Sequence, residues 1–129
     1  MVIAGLALAG IAALVHVFIF YLESIAWTSP RALATFGQTR EAAEGQKELA
    51  FNQGFYNLFL AIATALGIVL FVAGATTVGA TLVFTGAGSM VAASLVLLLS
   101  SPDKAGAALK QGVVPALGVA ALAIGLAVS

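Results

Sequence analysis

Four long apolar runs, separated by three breaks, take up most of the chain. They cover about residues 2–27, 49–73, 78–99 and 113–128. Each is near the roughly 20 residues that cross a hydrocarbon core at about 1.5 Å rise per residue. The pattern predicts an all-α integral membrane protein: one transmembrane domain over residues 1–129, built as a four-helix bundle. The first run contains only two ionisable residues, His16 and Glu23. It lacks a basic leading segment and is longer than the apolar part of a secretory signal, so it is expected to be a retained span.

The breaks differ in character. Residues 28–48 form the one long polar stretch and hold Arg31, Arg40, Glu41, Glu44, Lys47 and Glu48. Ser29-Pro30-Arg31 reads as a helix start, with Ser29 as the cap and Pro30 in the first turn. A short interfacial helix or turn over 31–36, ended by Gly37, is therefore expected between the first two spans. Thr39, followed by Arg40 and Glu41, offers a second N-cap with an acid early in the helix. That helix is expected to run through Gly45 into the second span. Gly74 to Thr77 is short and uncharged, as suits a tight hairpin. Ser100 to Gly112 opens with Ser-Ser-Pro-Asp-Lys, a helix stop and restart. Pro115 is expected early in the fourth span, where a missing N–H does least harm.

Composition strengthens the membrane reading. Of 129 residues, 62% are hydrophobic and 8% charged, against about 25% charged in a soluble domain. Ten charges cannot wet a globule of this size, so the missing polar surface has to be lipid. The net charge is zero, and five scattered cations make no nucleic-acid patch. Absence of cysteine excludes disulfides and thiolate chemistry. All five basic residues fall in the first and third breaks, which lie on one side of a four-span protein. The positive-inside rule puts those loops in the cytoplasm and both termini outside.

Polar groups at membrane depth carry the candidate chemistry, because a central charge costs about 2.5–3.5 kcal/mol on insertion scales. His16 and Glu23, seven residues apart, share a helical face with Phe20 and Trp27. The second span opens with Glu48, Asn52, Gln53, Tyr56 and Asn57. Counting from Trp27 and Glu48 as edges sets Glu23 level with Asn52 and Gln53, and His16 level with Asn57. Consecutive spans are usual neighbours. The candidate cluster is therefore His16, Glu23, Asn52, Gln53, Tyr56 and Asn57. It is either a cytoplasm-facing pocket for a small ligand or a proton, or interhelical hydrogen bonding at about 0.6–2 kcal/mol per group. Thr81, Thr85 and Ser89 step by four beside Gly86 and Gly88. Gly118, Ala121 and Gly125 form a similar run in the fourth span. Both sets are expected to let helices pack closely, with an oligomer contact as the alternative.

One histidine and scattered acids do not make a metal site. Gly86-Ala87-Gly88 is not a phosphate loop, and Ser24 has no adjacent histidine to activate it. No catalytic residue, metal or cofactor is expected. The stretches His16 to Glu23, Trp27-Thr-Ser-Pro30-Arg31, Phe36-Gly37 and Asn52-Gln53-Gly54-Phe55-Tyr56-Asn57 resemble the DUF1304 family of small bacterial membrane proteins. The specific motifs cover about residues 1–70. The resemblance implies four spans in a bacterial inner (plasma) membrane and groups the six cluster residues as one feature, but it implies no reaction. The family pattern has an acid directly before the histidine, where this chain has Val15. Three functions stay open. One is binding or transport of a small ligand, as an oligomer. Another is an accessory role beside partner membrane subunits. The last is an isomerase-like enzyme on a lipophilic substrate, with His16 and Glu23 moving protons.

Overall fold

The computed structural model describes residues 1–129, which are helical almost throughout and contain no strand. Helix α1 spans Val2–Phe20 and continues as a widened π-helical turn, Tyr21–Ile25. Two short helices follow, α2 at Pro30–Phe36 and α3 at Arg40–Gly45. Three long ones complete the chain: α4 Lys47–Val72, α5 Thr76–Ser100 and α6 Ala105–Val128. Helices α1, α4, α5 and α6 alternate in direction around a closed four-membered ring. Each packs on its two neighbours, and α1 faces α5 across the diagonal. All four are long and apolar enough to cross a membrane.

The distribution of residue sizes is the reverse of a soluble bundle. The interior is small: Ala9, Ala12, Ala61, Ala87 and Ala121 are buried, with Gly5, Gly67, Gly79, Gly118 and Gly125 at the crossings. The exterior carries Ile3, Leu14, Phe59, Val69, Leu95, Leu117 and Ile124, all exposed. An apolar outer surface gains nothing in water but is the surface a helix presents to lipid, where close packing of small residues replaces the hydrophobic effect as the cohesive force. At the α4–α5 crossing a side chain on Gly67 would lie 2.7 Å from the Gly79 carbonyl and the Val83 amide, so the two backbones touch. Gly118 and Gly125 pack against α1 as their spacing predicts, and Ala121 between them is buried.

The α5 stripe turns out differently. Thr81 and Thr85 are exposed, and their hydroxyls donate back to the Thr77 and Thr81 carbonyls four residues earlier. The buried face of α5 is instead Gly79, Val83, Gly86, Ala87, Met90 and Ser94. Of the predicted set only Gly86 is at a crossing, against Thr64 of α4, while Gly88 has open space beside it. A threonine that satisfies its hydroxyl on its own helix can face lipid without a partner, so its spacing alone does not reveal the packed face.

The loops near Trp27 follow the capping signals closely. The Ser29 hydroxyl accepts from the Ala32 amide at 3.2 Å, Pro30 opens α2, and Gly37 ends it in the left-handed region at φ 62°. Thr39 caps α3 by accepting from the Ala42 amide at 3.1 Å. Helix α3 does not run into α4, however. The chain breaks at Gln46, whose amide turns back to the Ala43 carbonyl. That same carbonyl accepts the Trp27 indole N–H at 2.7 Å. A continuous helix would need it for Lys47, and Gly45 beside it does little to hold the helical form. At the other end of the chain, Pro115 is not near a helix start. The helix begins at Ala105, so the proline is interior and buried, and the Gln111 carbonyl lacks its usual helical N–H.

Candidate functional site

The site forms where the charged loops close one end of the bundle. Its first determinant is the π turn at the end of α1, in which the Ala26 amide bonds the Tyr21 carbonyl at 2.9 Å across five residues. Such a turn widens the helix locally and is often found at functional positions. Glu23 lies within it. Next to Glu23, the Ser24 hydroxyl donates to the Phe51 carbonyl of α4 at 2.7 Å. Gly54 is the reason α4 comes so close, because a side chain there would run into Ser24. This contact fixes the register of the two helices and brings Asn57 to Glu23, where the amide Nδ2 donates to Oε1 at 2.5 Å.

The pairing corrects the levels expected from sequence. Glu23 meets Asn57, not Asn52, and His16 lies deeper still. Trp27 packs beside Ala50 rather than at Glu48, so the two helices are displaced along their axes. Helical periodicity separates the remaining members. The buried positions of α4 are Ala50, Gly54, Ala61, Thr64 and Gly67, and Asn57 shares their face. Asn52 and Tyr56 are each about 200° around from a buried position two residues earlier. Asn52 is exposed and donates to the Glu48 carbonyl of its own helix at 3.1 Å, and Tyr56 is 65% exposed on the outer surface. Gln53 is exposed at the mouth of the site and contributes to its lining.

His16, Glu23, Gln53 and Asn57 thus come together around a cavity of ≈ 270 Å³ bounded by all four long helices and by α2. That volume is roughly nine waters' share of liquid, at about 30 Å³ each. His16 is 2% exposed, and its Nδ1 lies 2.9 Å from the Ala12 carbonyl. A carbonyl only accepts, so Nδ1 carries the proton, and Nε2 of the neutral ring is an acceptor with no protein partner. His16 and Glu23 do not bond each other. Glu23 has no basic partner either; Asn57 is its one hydrogen-bonding neighbour. One imidazole and one carboxylate fall short of the ligands a metal ion needs.

Several lining residues were not in the predicted set. Trp27 and Phe36 stand together on one wall, ring centroids 5.4 Å apart and planes inclined at 45°. Lys104 lines the cavity beside Phe36, and its ammonium is taken up by α2: Nζ donates to the Phe36 carbonyl at 2.7 Å and the Gly37 carbonyl at 3.2 Å. Gln38 donates through Nε2 to Gln46 Oε1 at 3.0 Å, and its own Oε1 is sealed in the wall without a donor. Gln111 of α6 completes the polar lining. The sequence does hold a signal for Lys104. A helix ending on Gly37 leaves carbonyls in need of donors, although the donor is 67 residues away. Nothing comparable marks Gln38 or Gln111. On its far side the cavity is closed by fully buried packing, with Met90 and Thr64 followed by Ala9, Val83 and Leu122. It is a blind pocket opening toward the charged loops.

Neither among curated proteins nor among solved structures does any match the chain. One family model does match, over residues 10–123, and its description is "Protein of unknown function (DUF1304)". The matched span runs from the middle of α1 almost to the end of α6, so it takes in the pocket, its polar lining and the ring of helices that makes it. By that match the chain belongs to the DUF1304 family.

Proposed function

We propose that the chain is a membrane-embedded binding protein that takes a small polar solute into the blind pocket from the side of its charged loops. The observation that carries this reading is Glu23: a carboxylate within an apolar span, held by one amide and by no cation, facing ≈ 270 Å³ of space. A group placed only to join helices would be expected to have its hydrogen-bonding capacity filled by protein, because an unsatisfied polar group in the bundle is costly. Here the acceptors on Glu23 and His16 are left turned toward a space large enough for a solute.

Binding is favoured over passage. The packed layer of Ala9, Val83 and Leu122 lies between the pocket and the other end of the bundle, so transport would need that layer to part. With the charged loops in the cytoplasm, as their five basic residues favour, the solute would be a cytoplasmic one. A screen of small polar solutes by thermal unfolding in lipid nanodiscs tests the reading. The expected outcome is a saturable rise in melting temperature for at least one solute class, lost in Glu23→Gln. That variant keeps the side-chain size and an oxygen for Asn57. A rise that persists unchanged in the variant would place the binding elsewhere.

A second reading, association with another membrane subunit or with a further copy of the chain, draws support from the outer face of α5. Thr81, Thr85 and the open space beside Gly88 have no use inside the bundle. The two readings are compatible, since that face is separate from the pocket lining.

A further inference from the structure

The pocket's chemistry is lopsided in a way that selects among solutes. On the assumption that the pocket binds a small solute at all, we infer that its ligand class is a small organic ammonium compound. The groups gathered at Glu23 offer acceptors, while the side-chain amides of Gln53 and Gln111 elsewhere in the lining can also donate. Glu23 contributes a carboxylate with only Oε1 engaged, by Asn57 Nδ2. His16 contributes Nε2, because the Ala12 carbonyl holds the proton on Nδ1. Asn57 turns its NH2 to Glu23, which leaves Oδ1 as its free end. Gln38 Oε1 in the wall, sealed from any donor, adds to the negative potential.

The one cation of the lining, Lys104, forms no ion pair with Glu23. Lys104 donates to two carbonyls at the C-terminal end of α2, where the exposed helix carbonyls already hold a cation well. Glu23 is the one acid of the lining, and no cation is paired with it. An anionic solute would meet the unpaired acid of Glu23. A neutral alcohol would satisfy the acceptors but not the charge.

The aromatic wall points the same way. Trp27 and Phe36, ring centroids 5.4 Å apart and planes inclined at 45°, both line the cavity. Trp27 is anchored by its indole N–H to the Ala43 carbonyl and is nearly buried, so its orientation is fixed before any ligand arrives. Ring faces attract ammonium groups, most strongly where water is excluded, and tryptophan is the best of them. A carboxylate together with two aromatic rings is a setting that favours an alkylated ammonium, whose charge is spread over methyl or methylene groups.

The test compares choline with its uncharged carbon analogue 3,3-dimethyl-1-butanol, which has the same shape, by isothermal titration of the full chain in nanodiscs. The result expected is saturable choline binding, at least about tenfold tighter than the analogue, a difference of about 1.4 kcal/mol. Glu23→Gln should weaken choline about tenfold or more and leave the analogue unchanged. Equal binding of the two compounds to the unaltered chain would overturn the ammonium assignment while leaving the pocket as a binding site. Binding of neither would overturn the ammonium assignment, and the thermal-unfolding screen would then decide separately whether the pocket binds any solute. A preference for choline that survives Glu23→Gln would also overturn the assignment, because the carboxylate would then not be its counter-ion.

Discussion

Glu23 and Asn57 are the residues on which the difference between packing and binding can be measured. The single hydrogen bond between them joins α1 to α4, and such bonds in membranes contribute about 0.6 kcal/mol on average, with a maximum near 1.7. Asn57→Leu removes the one protein donor to Glu23, so it should destabilise the bundle by about 1–3 kcal/mol. Glu23→Gln keeps an acceptor for Asn57 and should cost less than about 1 kcal/mol. Equilibrium unfolding in mixed micelles checks both values, and a Glu23→Gln loss as large as that of Asn57→Leu would favour a purely structural carboxylate. At this scale the sequence was legible where a residue's type is costly in its surroundings. His16 and Glu23 stood out as ionisable groups in an apolar run, and both line the pocket. Asn52 and Tyr56 stood out equally and face away, because an amide or a phenol near a helix end can be satisfied on its own backbone or at the membrane edge. Gln38, Lys104 and Gln111 drew no notice as lining, since polar residues in a loop or at a helix start are unremarkable until the loops fold over the bundle.

The long helices hold together through absent side chains more than through present ones. Gly67 and Gly79 let α4 and α5 touch by backbone, and Gly5, Gly118 and Gly125 do the same for α1 and α6. Gly67→Leu would drive a side chain into the α5 backbone and should cost about 1–3 kcal/mol or more. A Cβ at Gly88 would meet no atom within 4 Å, so Gly88→Ala should leave the isolated bundle as stable or up to about 1 kcal/mol more stable. The same micelle unfolding assay distinguishes them, and equal losses would contradict the assignment of packed and open faces. Element boundaries were readable from chemistry that acts over a few residues: Ser29 with Pro30, Gly37, and Thr39 all do what their types favour. The break at Gln46 was not readable, because its cause is the Trp27 indole arriving from 16 residues earlier to take the Ala43 carbonyl. The register of α1 on α4 was hidden for a related reason. It depends on Ser24 fitting over Gly54, a contact between surfaces that counting residues from each membrane edge does not capture.

For the whole molecule, four helices in an alternating ring place the two charged connections, the pocket mouth, α2 and α3 at one end, and both termini with the Gly74 turn at the other. The chain lacks cysteine, so a single introduced one reports its own position without interference. Gly106→Cys and Glu44→Cys should react with an impermeant thiol reagent only after cells are opened, while Ala75→Cys and Ser129→Cys should react from outside. The opposite pattern would reverse the orientation that the basic loops favour and move the pocket mouth to the other side. The number of spans was plain from the apolar runs, because lipid demands an apolar length and little else. The pocket was not, since it arises only when Lys104 draws α2 against the start of α6 and brings Phe36 beside Trp27 in the lining. Its capacity to bind a solute is the central claim, and the single histidine of the chain gives a direct test. With 15N-labelled histidine, one side chain supplies the whole ring signal, and that side chain lines the pocket. Titration with choline in nanodiscs should shift the His16 Nε2 resonance saturably in the unaltered chain, and in Glu23→Gln only at choline concentrations about tenfold higher or more. An Nε2 signal that stays fixed with choline and with every solute class of the screen, in a protein that remains folded, would contradict the account and leave the polar cluster as interhelical bonding alone.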